Sequence, residues 1–323
     1  QNTGCCKMNV SQPCSAVQQK TTRRRNTMTY FLQQTINGIS VGAIYAMIAV
    51  GYSMVYGLLY LINFAHGDLY VMGTFVVYSC LVTFGASGII SPMLSCLAGA
   101  IVAGIIGILT ERFAYRPIRS GNRNISMVSA LGVSAMLKTT SQVIWGPESK
   151  AFPSFLPEGK IMLGDIILYE RSIWVVVFSV VVIVIMMLIT QYTKFGRGTR
   201  FIMQDITTAS LVGVNVNFII PAVYALGGFL GTLGGVLYSS YYSLISIDIG
   251  ILGTIKAWAV VTLGGPGSLV GCLVGGLILG WSEAMASSYL FNAARDAVGY
   301  IVIIVALMIR PYGLFGKKKE EKV

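Results

Sequence analysis

Long apolar runs broken by short polar stretches set the pattern of this chain. Runs near the roughly 20 residues that a bilayer demands fall at about 30–50, 67–84, 89–110, 125–145, 172–191, 218–240, 268–290 and 295–310, and each predicts a spanning helix. Two further apolar pieces, about 52–64 and 251–264, are shorter. At 1.5 Å per residue each covers about 20 Å, less than a hydrocarbon core of roughly 30 Å. They are either re-entrant segments or short spans buried among other helices. The pattern predicts an all-α, polytopic transmembrane helical bundle of about eight to ten membrane segments, some of them short or broken.

The polar stretches orient the bundle. Segment 111–124 carries Arg112, Arg116, Arg119 and Arg123 against one acid, and segment 192–217 carries Lys194, Arg197 and Arg200 against Asp205. The C-terminal end adds Arg310, Lys317, Lys318, Lys319 and Lys322. Segment 146–171 instead balances Lys150, Lys160 and Arg171 with Glu148, Glu158, Asp165 and Glu170. Positive residues collect on the cytoplasmic side, which places 111–124, 192–217 and the C-terminus inside and 146–171 outside. Parity then requires the 251–264 piece to cross, or one long segment not to. An inside N-terminus, suggested by Arg23, Arg24 and Arg25, needs four crossings before residue 111; an outside N-terminus needs three. The two halves share an order of Gly-rich long segment, interrupted short segment and two more long segments, the kind of internal repetition seen in transporters.

Composition supports this class. Of the 323 residues 55% are hydrophobic and 11% charged, with a mean hydropathy of +0.73; a soluble domain carries about 25% charged residues. One membrane domain, 28–316, is expected, followed by a charged cytoplasmic tail, 317–323. The net charge of +11 does not indicate nucleic-acid binding, because the positive residues sit in short segments between apolar runs. Residues 1–27 are polar and contain no apolar core of the kind a signal peptide needs. They are expected to be a disordered extension, not necessarily native, since an ordinary start could lie at Met28. Cys5, Cys6 and Cys14 lie in that stretch, while Cys80, Cys96 and Cys272 lie in apolar runs. With one His and no CxxC in the chain, neither a metal nor another cofactor is expected.

Four groups of residues are candidates for chemistry or mechanics. The first is "LINFAHGD", Leu61 to Asp68, where Asn63, His66, Gly67 and Asp68 interrupt apolar sequence. Polar groups at membrane depth are costly and face protein or a water path. One reading is a discontinuous helix beside the translocation path: a first helix ends near Asn63, Gly67 permits the turn, and a new helix begins around Asp68 with its N-terminus free to meet an anionic group. The other is that Asp68 caps the new helix while Asn63 and His66 satisfy loose backbone groups.

The second group is the stretch Lys194 to Asn217. Phe201, Ile202, Ile206, Ala209, Leu211 and Val212 can form one apolar side of a short helix, with Arg200, Gln204, Asp205 and Thr208 more exposed and Thr199 or Asp205 as caps. This fits an interfacial helix lying on lipid or a docking helix for a cytosolic partner. The third is "LGGPGSLVGCLVGG", where Gly264, Gly265 and Gly267 with Pro266 separate two helices, and Gly271 and Gly275 have the four-residue spacing of close helix contacts. The pairs Gly38 with Gly42, Gly231 with Gly235 and Gly276 with Gly280 share that spacing. No P-loop lysine follows these glycines, so nucleotide binding there is not indicated. The last group is Asp248, Lys256 and Glu283, charges near membrane depth that line a path or snorkel at an interface; the interface is the expectation for Asp248 and Lys256. The chain has no GxSxG and no HExxH motif, and nothing indicates an enzyme.

These motifs together resemble the branched-chain amino acid ABC transporter permeases of the LivH type. The similarity is carried by "NGISVGAIYAMIAVGYSMVYGLLYLINFAHGDLYVMGTF", by "ERFAYRPIRS", by "FGRGTRFIMQDITTASLVGVN", by "KAWAVVTLGGPGSLVGCLVGGLILGWSE" and by "RPYGLFG". It runs from about Met28 to Gly316. The resemblance implies a multi-pass permease subunit of the bacterial inner membrane that pairs with a second, homologous permease. Two cytosolic ABC ATPases power such an importer, a periplasmic binding protein delivers its substrate, and the substrate passes between the two permeases. Leucine, isoleucine and valine are the substrates implied; urea, short-chain amides and other amino acids are served by related permeases. The resemblance also places ATPase coupling on the segment about 192–217, with Gly196, Arg197, Arg200, Gln204, Asp205 and Gly213 as the residues concerned. Without the resemblance, an ion-coupled secondary transporter using Asp68 or Glu283 as its carboxylate, or a passive channel, fits the same helices.

Overall fold

The computed structural model describes residues 15–59, 62–85, 88–118, 123–163, 166–291, 294–310 and 313–316. The expected tail 317–323 and Cys5, Cys6 and Cys14 lie outside the described residues. The helices are α1 (Ser15–Leu59), α2 (Ala65–Phe84), α3 (Ile90–Thr110), α4 (Arg123–Trp145), α5 (Glu170–Tyr192), α6 (Lys194–Gln204), α7 (Ile206–Leu211), α8 (Val216–Tyr242), α9 (Ile249–Gly264), α10 (Leu269–Tyr289) and α11 (Ala294–Ile309). Six of them, within Met28–Leu59, Ala65–Phe84, Ile90–Ile118, Glu170–Tyr192, Val216–Tyr242 and Leu269–Tyr289, are long and apolar enough to cross a membrane. Three more stand with them: α4, which is long but less apolar, and α9 and α11, each of 16 residues. The chain is thus an all-α polytopic membrane protein.

Several boundaries differ from those read off the sequence. The run 30–50 and the next piece as far as Leu59 are one continuous helix, because Gly51, which separates them, packs α1 onto α8 instead of bending it: a Cβ there would stand 2.8 Å from the Gly227 carbonyl oxygen. Among the described residues only three α-helices therefore precede residue 111, not the four that the inside N-terminus requires. The helical backbone of α1 begins at Ser15, inside the polar stretch expected to be disordered; residues 1–14 lie outside the described residues. Part of the arginine-rich segment 111–124 is helical too, with a π-helical turn (Glu111–Tyr115) and a 3-10 turn (Arg116–Ile118) continuing α3. Among the described residues four short strands also form: β1 (Lys150–Ala151), β2 (Lys160–Leu163), β3 (Ile166–Tyr169) and β4 (Leu244–Ile245). β2 and β3 make an antiparallel hairpin, and β1 pairs antiparallel with β4.

Glycine sets how closely the helices approach. α1 and α10 run antiparallel with the Gly38–Gly42 and Gly276–Gly280 pairs facing each other. A Cβ on Gly42 would lie 2.7 Å from the Gly276 oxygen, and one on Gly276 would lie 2.7 Å from Ala46 Cα. Lipid provides no hydrophobic drive between helices, so such backbone contact supplies the packing attraction. Gly231 and Gly235 serve α8 in the same way, each receiving Tyr70 of α2.

The two halves contact one another in a symmetric pattern. α1 packs on α10 as α8 packs on α3, α2 on α8 as α9 on α1, α2 on α3 as α9 on α10, and α2 on α4 as α9 on α11. α1 and α8 are antiparallel, since Ile48 meets Gly234 and Val55 meets Gly227. The repetition expected from hydropathy is an inverted one. The polar break before α2 and the break before α9 are its equivalent points. The first turns of these two helices meet on glycines: a Cβ on Gly250 would lie 3.1 Å from the Gly67 carbonyl.

The two ends of the bundle are distinct. At one, Gln33 of α1 donates to the Ile167 carbonyl at 2.8 Å and accepts from the Ile167 amide at 3.1 Å, so the start of α1 sits with the β2–β3 hairpin. At the other, Gly57 of α1, Met203 of α6 and Gly267 are in contact, and Leu314 and Phe315 donate their amides to Leu263 and Gly264 at 2.8 and 3.1 Å. The described part of 111–124 and the segment 192–217 lie at this second end, with Tyr115 on Asn63 and Met203 on Gly267.

Candidate functional site

Asn63 ends the break before α2. Its side-chain oxygen accepts from the Ala65 amide at 3.1 Å and from the Tyr115 hydroxyl at 2.8 Å. The π-helical turn after α3, which inserts one residue into the helical repeat, is what aims Tyr115 at it. Sequence reading missed Tyr115 because its segment looked like an arginine-rich loop. Gly67 lies inside α2 and not in the turn, so its expected role is corrected. It is glycine because a side chain would run into the Gly250 carbonyl and the Thr254 hydroxyl of α9. His66 is 2% exposed and edge-packed on Tyr52, with ring centroids 5.5 Å apart. Asp68, 3% exposed, accepts from the Ser134 hydroxyl of α4. It does not cap α2: the helix has no side-chain cap of that kind, and its first turn is buried against α9 instead of standing open.

The stretch 192–217 folds into two capped helices. Thr193 accepts from the Gly196 amide at 3.1 Å to start α6, and Asp205 accepts from the Thr207 and Thr208 amides at 3.2 and 2.9 Å to start α7. Thr199, the other cap considered, lies within α6 and donates to the Phe195 carbonyl. Gly196 sits on the Thr190 backbone with no room for a side chain, and Gly213 follows α7 with φ +85°. The apolar side is narrower than expected. Ile202 and Ala209 are buried, but Phe201 is 48%, Leu211 82% and Val212 65% exposed, alongside exposed Lys194, Arg197, Arg200 and Gln204. The outer surface of this pair is therefore mixed, basic and apolar. Behind α6 lies a crevice of about 240 Å³ bounded by Met54, Met187, Arg200, Met203 and Ser268.

Gly265 and Gly267 make the turn between α9 and α10 with φ +102° and +75°, a region open to glycine at little cost. Gly264 lies against Gly271, and a Cβ on Gly275 would stand 2.8 Å from the Val260 oxygen, so these glycines let α9 and α10 cross closely. Ser268 caps α10 by accepting from the Gly271 amide at 3.0 Å.

The largest departure from expectation concerns Lys256. It does not snorkel: it is 7% exposed, within a charged cluster inside the bundle. Its ammonium lies 3.1 Å from Glu283 Oε2, 3.2 Å from Asp296 and 3.0 Å from the Tyr45 hydroxyl. Tyr45 donates to Glu283 Oε2 at 2.9 Å, and Arg295 approaches the same oxygen at 3.4 Å and donates to the Tyr242 hydroxyl. The cluster draws on α1, α8, α9, α10 and α11 and balances two cations with two anions. Burial of such charges is tolerated only with this mutual pairing. Arg295 and Asp296 were missed; the signal was an Arg-Asp pair at the head of an apolar run. Asp248 does lie exposed, 3.1 Å from Lys138 of α4.

Over residues 34–307 the chain matches the family described as branched-chain amino acid transport system / permease component. It belongs to that family. Among curated relatives, the high-affinity branched-chain amino acid transport system permease protein LivH of Salmonella typhimurium is 35% identical over 91% of this chain and 98% of its own. LivH of Escherichia coli K12 shows the same identity and coverage. The permease protein BraD of Pseudomonas aeruginosa is also 35% identical, over 91% and 98%. The match to this permease family includes both breaks, α6–α7, the glycine turn and the charged cluster.

Proposed function

We propose that this protein is the membrane-spanning permease subunit of an ATP-driven importer for leucine, isoleucine and valine in a bacterial inner membrane. The observation that carries the reading is identity of 35% along nearly the full length of permeases named for that transport. In this reading the subunit pairs with a second, homologous permease, receives substrate from a periplasmic binding protein and is driven by two cytosolic ABC ATPases. It hydrolyses no ATP itself.

The α6–α7 pair is the coupling element. It has an exposed basic and apolar surface, it is built from capped helices, and the crevice behind it gives it room to move. ATP-driven closure of the ATPase dimer shifts α6–α7, and the inverted repeats rock against each other to alternate access. The break at Asn63–Asp68 lies beside the path as a packed pivot joining α2 to α9. The basic end faces the cytoplasm, in keeping with the distribution of positive residues. The start of α1 then lies outside and the C-terminus inside.

The test is uptake of L-leucine by proteoliposomes containing the complete importer. Uptake is expected to require binding protein and ATP and to survive an ionophore that collapses ion gradients. Uptake that persists without the ATPases and stops with the ionophore overturns the reading in favour of an ion-coupled carrier.

A further inference from the structure

Beside the charged cluster, between α1, α2, α8, α9 and α11, lies a cavity of about 170 Å³. Its wall is chemically mixed. Lys256, Arg295, Asp296 and Tyr45 line it together with Ile48 and Leu252, which lie one helical turn from Tyr45 and Lys256. At roughly 30 Å³ per water it has room for more than one or two waters. The charged residues of the cluster differ in burial: the Lys256 and Glu283 side chains are 8% and 1% exposed, Arg295 is 29% and Asp296 54%. The cavity is therefore reached past Asp296, at the head of α11. That head follows the end of α10, where Tyr289 packs on Tyr30 of α1 towards the hairpin end.

We propose that this cavity is a station for a zwitterionic amino acid on the import route, with Lys256 and Arg295 meeting the α-carboxylate, Asp296 the α-ammonium, and Ile48 and Leu252 the aliphatic side chain. The proposal rests on the importer reading and adds a site within a single permease. The physical argument is charge balance. In the empty cluster Lys256 pairs with both Glu283 and Asp296, and the total charge is zero. A zwitterion enters by exchange: its carboxylate takes the place of Asp296 beside Lys256, and the freed Asp296 takes its ammonium. No ion is left buried without a partner, so pairing offsets the desolvation penalty that bars a lone charge. An anion or a cation leaves one charge uncompensated, and an uncharged solute such as urea has nothing to exchange. Glu283 stays behind as the fixed counter-charge, held by Tyr45 at 2.9 Å. Because the exchange swaps one set of ion pairs for an equivalent one, binding is weak, as a site on a route must be for the solute to leave.

The test compares complete importers, wild type, Asp296→Asn and Leu252→Trp, reconstituted with binding protein and ATPases. Leu252→Trp narrows the cavity without touching an ion pair, so it stands in if Asp296→Asn does not assemble. Each variant is expected to lower L-leucine uptake by about tenfold or more while binding-protein-stimulated ATP hydrolysis persists, raising the ATP spent per leucine. Wild-type uptake and ATP cost in the assembled variants overturn the station and leave the importer reading standing. If the wild type imports no branched-chain amino acid, the importer reading fails, and the variants are measured with the solute it does import. Loss of a zwitterion's uptake then supports the station; an uncharged solute overturns it.

Discussion

At the scale of single residues, the buried charges and the glycines at helix crossings bear the largest consequences. Glu283 receives Tyr45, Lys256 and Arg295 on one oxygen. Glu283→Ala leaves two cations beside a vacated site and is expected to cost about 3–5 kcal/mol, as breaking one partner of a buried pair does. The double variant Glu283→Met with Lys256→Met removes both charges and is expected to be milder than the single one. Thermal unfolding of the purified protein in detergent checks the order; a double variant less stable than Glu283→Ala contradicts it. Gly67 is a second such point. Gly67→Leu forces α2 from α9 where both first turns meet, and is expected to abolish accumulation of folded protein, read as loss of a monodisperse peak by size-exclusion chromatography. Asp68→Asn keeps a group able to accept from Ser134 and is expected to fold.

At the scale of elements, α6–α7 separates folding from coupling. The caps at Thr193 and Asp205 each stabilise by about 1 kcal/mol, whereas Arg200 and Phe201 are exposed. Arg200→Ala and Phe201→Ala are therefore expected to assemble with unchanged thermal stability of the isolated permease but to lower stimulated ATP hydrolysis and uptake together. Normal stimulation in both variants removes α6–α7 from the coupling role. The pair α1–α10 has no such freedom: Gly42 and Gly276 meet backbone to backbone, and a valine at either position separates the helices that carry Tyr45 and Glu283.

At the scale of the whole molecule, the inverted repeat and the two unlike ends determine topology. With the hairpin end outside, the start of α1 is outside and three helices bring the chain to the basic segment at residue 111. Single cysteines at Met162, in the hairpin, and at Leu211, at the end of α7, are 73% and 82% exposed in the parent residues. Placed in a background lacking other cysteines, Met162→Cys is expected to react with an impermeant thiol reagent in intact cells and Leu211→Cys only after the membrane is opened. The reverse pattern inverts the orientation.

The apolar runs by themselves determined the helical membrane fold, because crossing lipid requires a long apolar segment that satisfies its own backbone. The glycine spacings gave the close contacts, and Asp205 marked the start of α7, whereas α6 starts at Thr193 and not at Thr199. Hydropathy could not show that Gly51 continues α1, since a glycine reads alike as a break or as a contact. It could not show that Gly67 faces Gly250, or that the segment around Tyr115 is helical and reaches Asn63. Above all, Lys256 was expected at the interface, Glu283 stood open between path and interface, and Arg295 and Asp296 carried no expectation, because the four are dispersed over three helices. Only the packing of α9, α10 and α11 brings them within 3.4 Å of one another in pairs. Burial of a charge is decided by the partners that surround it, and those come from distant parts of the chain.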